Sequence, residues 1–147
     1  MVQSPAFGDG DAIPARFTCD GEGVSPPIRW AAPEGAPNGL DYAVLMVDVD
    51  APGEKFVHWL VYGLSSDGTI PEGGPVHGSQ GRNTFGEQGY GGPCPPPGDD
   101  PHRYEFRLYA LRSPPTPQLP GLSVDDLLGG VPDEPALATL TGTYGRG

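Results

Sequence analysis

GRNTFGEQGYGGPCPPPGDDPHRYEFRLYAL, residues Gly81–Leu111, is the stretch whose reading decides the fold. It starts as a loop dense in glycine and proline and ends as a strand. Gly89, Gly91 and Gly92 open backbone angles and close approaches that a side chain would forbid. Pro93, Pro95, Pro96 and Pro97 fix φ and withdraw N–H donors, so the loop is stiff, and any of the four is a candidate for a cis bond. From Tyr104 the chain alternates, with Tyr104, Phe106, Leu108 and Ala110 on one face and Arg103, Glu105 and Arg107 on the other. His102 shares the parity of Tyr104 and should point to the apolar side. A rigid loop that delivers His and Tyr to one edge of a core is how a small pocket is built. A surface loop followed by an ordinary strand accounts for the same residues equally well.

Outward from this stretch, YAVLMVDVD (Tyr42–Asp50) has a continuous apolar middle, the pattern of a strand buried on both faces. Asp48 and Asp50 share the parity of Val44 and Met46, and carboxylates at the end of a buried strand are costly unless paired or hydrogen-bonded. FVHWLVYGL (Phe56–Leu64) is the next strand. A hairpin over Ala51–Lys55 places Asp50 opposite Phe56 and Asp48 opposite His58, about 4.5–5.5 Å apart at Cβ. In that register Asp48 would orient the His58 imidazole and raise its pKa; a one-residue bulge would undo it.

On the N-terminal side, Ala15–Thr18 is a short strand candidate and Asp20-Gly21 a turn. Ser25-Pro26-Pro27 forces an extended path that sends Ile28 and Trp30 into the core. Residues 33–41 and 65–80 read as loops, with His77 exposed. Beyond the central stretch, Arg112–Leu122 is a proline-rich connector. Ser123–Gly130 reads as a short helix capped by Ser123, and Asp133–Leu140 as a second one capped by Asp133. The terminal TGTYGRG is a short strand or tail.

Composition bounds the class. The 147 residues suit one domain, 1–147. The 24 glycines and 20 prolines are interleaved with apolar runs, which points to a mainly β domain rich in turns rather than to disorder. A net charge of −11, with Lys55 as the one lysine and seven arginines, leaves no basic stripe for nucleic acid or an acidic lipid surface. The opening MVQSPAFGDG has no secretory signature, and no apolar run approaches the roughly 20 residues of a membrane span, so the expected address is cytoplasmic. In that compartment Cys19 and Cys94 are expected as free thiols; as neighbours in space they would tie the N-terminal segment to the proline-rich loop.

Seven pieces, in order from about Phe17 to Tyr144, carry a resemblance: FTCDGEGVSPPIRW, DVDAP, VHWLVY, GRNTFG, YGGPCPPPG, PHRYEFRLYAL and LTGTYGR. The chain resembles the phosphatidylethanolamine-binding protein (PEBP) family in its bacterial and archaeal branch, often labelled Raf-kinase-inhibitor-like. Val49 departs from the family's DPDAP, Pro97 lengthens the proline run, and the loop before His58 is short. The resemblance implies a sandwich of two antiparallel sheets with a few short peripheral helices. It also implies a small pocket for phosphate groups, phospholipid headgroups or nucleotides, with no cofactor. Position by position the pocket would comprise Asp48, Asp50, His58, Pro95, Pro96, His102 and Tyr104, with Tyr90 and Gly92 nearby. His58, His102 and the Tyr104 hydroxyl would donate to the anion, and Asp48 would orient a histidine.

A non-catalytic binding protein for a small phosphate-like anion comes first. An inhibitor of a kinase or protease comes second, and a second copy of the chain is also open as a partner. A metal-assisted hydrolase built on the two His and two Asp is a distant third, because no Ser or Cys nucleophile is tied to a His by a motif.

Overall fold

The structure, a computed structural model, describes residues 1–36, 41–53, 55–111, 119–133 and 135–147. The expected proline-rich connector and part of the 33–41 loop fall at 112–118 and 37–40, outside the described residues. Eight strands run in chain order: β1 (Val2–Gln3), β2 (Ile28–Ala31), β3 (Asp41–Asp48), β4 (Phe56–Leu64), β5 (Asp67–Ile70), β6 (Ser79–Gln80), β7 (His102–Leu111) and β8 (Ala138–Tyr144). They form two antiparallel sheets, β1-β2-β5 and β6-β4-β3-β7-β8. The mainly β class holds.

The central strand β3 is buried on both faces, as its unbroken apolar run requires. Tyr42, Val44 and Met46 join Ile28, Trp30, Phe106 and Leu108 in the core on the side of the smaller sheet. Ala43 and Leu45 join Leu60, Tyr62 and Tyr109 on the opposite face, under Leu122, Val124 and Leu127. That second cover includes helix α1 (Val124–Leu128), whose capping box is closed by Ser123 and Asp126 and whose end is Gly129 at φ 74°.

Strand β4 breaks alternation twice, and each break is a bulge. Tyr42 faces Leu64 while Val44 faces Val61, so one extra β4 residue is absorbed near Gly63, at φ 69°. Val47 faces Val57 while Met46 faces Trp59, which leaves His58 as the extra residue. Asp48 therefore stands opposite Phe56, not His58, and the predicted Asp48–His58 cross-strand pair does not form.

Three further expectations change. Ala15–Phe17 is a 3-10 turn, not a strand. Ala138–Leu140, assigned by sequence to a second helix, opens β8; its residues pair with Phe106–Leu108, and sheet pairing overrides the local helical pattern. The cis bond among the described residues is Gly74–Pro75, in none of the four positions expected.

The cysteines are paired, not free: Cys19 and Cys94 form a disulfide across 75 residues. Its approach is prepared by backbone. The Cys19 N–H donates to the Pro93 carbonyl at 3.1 Å, and a Cβ at Gly92 would lie 2.8 Å from the Phe17 carbonyl oxygen. Closing a loop of this length removes denatured-state entropy equivalent to about 4 kcal/mol. The double variant Cys19→Ser/Cys94→Ser should lower Tm by on the order of 10 °C relative to the oxidised protein. Calorimetry checks this, and wild-type protein under reductant should match the variant.

Candidate functional site

At the end of β3 a row of residues crosses the larger sheet: Phe56, Asp48, Tyr104 and Gly142 are successive Cα partners. A cavity of about 160 Å³ opens over this row. Its polar end is Asp48, His58, His102 and Tyr104; its walls are Ala51, Pro52, Phe56, Phe85, Cys94, Pro95 and Pro96.

Asp48 is buried and both its oxygens are used. Oδ1 accepts the Asp50 N–H at 2.9 Å and Oδ2 accepts His102 Nδ1–H at 2.7 Å. Asp48 thus orients His102, delivered by the strand on its other side. The Nε2 of His102 lies 3.2 Å from Asp99 Oδ2, so the ring sits between two carboxylates and, when protonated, donates to both. Burial pushes its pKa down, but the bonds to Asp48 and Asp99 outweigh that, and the net shift is upward.

His58 is the opposite case. Its Nδ1 lies 2.7 Å from the Gly91 carbonyl oxygen, while the Gly91 N–H donates back to the His58 carbonyl at 2.9 Å. A carbonyl only accepts, so the proton is on Nδ1 and the neutral ring presents a lone pair at Nε2. Edge-on contacts with Phe85 and Tyr104, at ring distances of 5.4 and 5.2 Å, surround it with apolar surface. Burial pushes its pKa below the ordinary histidine value, the reverse of the rise expected from a facing Asp48.

Tyr104 is buried as a residue, and it lines the cavity with no hydrogen bond from its hydroxyl to a described residue. Burial pushes its pKa upward, so it stays protonated.

Of the remaining expected site residues, Asp50 and Tyr90 do not line the cavity, and Gly92 contacts the His58 ring through its backbone. Asp50 turns away and is held by Arg103 through two guanidinium bonds and the backbone N–H, at 2.7–3.0 Å. The Arg103 guanidinium holds its carboxyl down to about 2. Tyr90 packs edge-on against Trp59 and donates its hydroxyl to the Phe17 carbonyl at 2.6 Å, fastening the loop from behind. Gly92 serves the same seam.

Sequence reasoning missed Phe56 and Phe85. The signal for Phe56 was its place beside the strand end that carries Asp48. Phe85 is half exposed at the mouth and lies over Gly91, where a Cβ would meet its ring at 2.4 Å. Among the described residues no Lys or Arg lines the cavity.

A sequence profile of the family described as phosphatidylethanolamine-binding protein matches residues 3–145. The chain belongs to the phosphatidylethanolamine-binding protein family. It is 41% identical over 157 residues to the UPF0098 protein of Methanothermobacter thermautotrophicus, covering 99% of each chain. It is 39% identical over 150 residues to the UPF0098 protein Rv1910c of Mycobacterium tuberculosis, covering 97% of this chain and 69% of that one. Among solved structures, Escherichia coli YbcL, described as a new member of the mammalian PEBP family, superposes with a TM-score of 0.77 at 30% identity. That superposition covers 99% of this chain and 97% of the other. Among the described residues of this PEBP-family chain, no helix is long and apolar enough to cross a membrane.

Two predictions follow from the charge arrangement. His102 should titrate above about 6.5 and His58 below it when the imidazole signals are followed by NMR. Asp99→Asn should lower the His102 midpoint and leave His58 in place; equal movement of both would mean that the loop had collapsed. Asp50, whose folded pKa is depressed, adds stability above its unfolded value near 3.8 that is lost as pH falls toward about 2. Asp50→Asn should therefore destabilise the protein at pH 7, with the difference from wild type closing by about pH 2 in denaturant titrations.

Proposed function

We propose that this protein is a non-catalytic binding protein whose cavity takes a small phosphate-like headgroup, from a phospholipid, a nucleotide or a similar small anion. The observation that carries the reading is the Tyr104 hydroxyl, which lines the cavity beside His58 without a hydrogen bond to a described residue. An O–H that faces the cavity can donate to a ligand oxygen, a bond of about 0.5–1.5 kcal/mol net and more to a charged acceptor. The 160 Å³ volume suits a headgroup rather than a whole lipid. The apolar walls of Phe56, Phe85, Pro52, Pro95 and Pro96 exclude water around it. Family membership supports a binding role and the resemblance supports the phosphate class. The Cys19–Cys94 bond also favours an oxidising compartment over the cytoplasmic address suggested by the opening residues.

A second reading, inhibition of a kinase or protease through the rim, draws on Phe85, half exposed beside the mouth. Phe85→Ser would then abolish inhibition while leaving headgroup binding measurable.

Titrating phosphorylethanolamine against the protein at pH 6 should move the His58 and Tyr104 signals. Tyr104→Phe should weaken binding about tenfold, the equivalent of roughly 1.4 kcal/mol, at unchanged Tm. No response in wild type at millimolar ligand defeats the reading.

A further inference from the structure

The cavity has an acceptor where an anion site usually has a donor. The Gly91 carbonyl takes the Nδ1 proton of His58, with the Gly92 backbone also against the ring, so in the neutral ring Nε2 carries the lone pair, and His58 lines the same cavity as Tyr104. The other imidazole, His102, is spent on the two carboxylates of Asp48 and Asp99. No Lys or Arg among the described residues reaches in: Arg103 is taken by Asp50. The titratable and charged groups that face His58 are therefore Asp48 from β3 and His102 and Tyr104 from β7; the loop side presents Gly91, Phe85 and the disulfide of Cys94. A fully ionised oxyanion would meet one hydroxyl donor and at least one lone pair aimed at it. A ligand that brings its own proton meets a matched pair.

We propose that the cavity selects a singly protonated oxyacid, of the phosphate monoester or phosphonate class, with the ligand O–H donating to His58 Nε2 and a ligand oxygen accepting from the Tyr104 hydroxyl. The proposal rests on the phosphate reading above and narrows it. A phosphodiester or a sulfate ester carries the same single charge but has no O–H to give. The site thus discriminates by the ligand's proton rather than by its charge, and favours a monoester headgroup over the diester of an ordinary phospholipid.

The test compares methyl phosphate, methyl sulfate and dimethyl phosphate at pH 6.0 and 8.5 by calorimetry on the wild-type, oxidised protein. The second ionisation of a phosphate monoester lies at about 6, so its O–H form falls by about two orders of magnitude across this window. Methyl phosphate affinity should fall by a similar factor. Methyl sulfate and dimethyl phosphate should bind at least tenfold more weakly than methyl phosphate at pH 6.0 and show no such fall. In parallel, nitrogen NMR of the free protein at pH 6.0 should show His58 protonated at Nδ1 and bare at Nε2. Methyl sulfate binding within twofold of methyl phosphate at pH 6.0 would mean that His58 donates, and overturns the proposal while leaving the anion pocket standing. A methyl phosphate affinity that does not change with pH overturns it as well. If no phosphate compound binds at either pH, the phosphate reading falls and this inference falls with it. Vesicles carrying phosphatidic acid, a lipid monoester, separate the sources: retention assigns a lipid, and binding of methyl phosphate alone assigns a soluble ligand, each in keeping with the proposal.

Discussion

Asp48 ends the most buried strand of the protein with a carboxylate that must be satisfied where little water reaches it. Its two oxygens accept from the Asp50 backbone and from His102, and these bonds set much of what surrounds them. The first turns the chain sharply away after β3 and brings Asp50 to Arg103. The second holds the mouth of β7 against the end of β3, which places Tyr104 beside Asp48 in the sheet. Removing one partner of a buried, hydrogen-bonded pair costs about 3–5 kcal/mol, a large share of the 5–15 kcal/mol typical of a whole domain. The floor of the candidate site is therefore part of the protein's stability.

His58 reaches the same floor by a different device. Without the bulge, strict alternation along β4 would put Val57 and Trp59 on one face. The extra residue instead lets Val57 pack under the helix cover while Trp59 enters the main core. The imidazole is left at the strand kink, where Gly91 on the neighbouring loop can take both its backbone and its ring hydrogen bond. That loop is in turn fixed from behind by Tyr90, Gly92 and the disulfide. Residues that do not line the cavity thus decide the protonation of one that does.

This division explains what could be read from sequence. The strands β3, β4 and β7 were legible because their apolar periodicity is a local property. Asp48, His58, His102 and Tyr104 were legible as candidate site residues because each is a polar group placed where the pattern demands an apolar one, and all four line one cavity. The partner of Asp48 was not. Two strands flank β3, and parity alone puts a histidine within reach on each; a single bulged residue decided between them. The disulfide, Phe85 and the change of Ala138–Leu140 from helix to strand depend on contacts between distant segments, which no local window contains. Tyr90 and Gly92 were placed at the site by resemblance, and their contacts show them serving its frame.

The electrostatics of the two histidines combine into one consequence. A chain of net charge −11 repels anions at long range, and among the described residues the cavity presents no guanidinium or ammonium to offset this. The ring whose pKa is raised, His102, has carboxylates on both sides that offset any charge it takes up. Affinity here must therefore come from short-range complementarity: the hydroxyl of Tyr104, the lone pair of His58, and aromatic walls that lower the local dielectric and strengthen each bond. Long-range charge attraction falls steeply as salt rises, whereas hydrogen bonds inside a walled cavity are screened far less. On the proposed function, a site built in this way gives up fast electrostatic capture and gains discrimination between anions of equal charge.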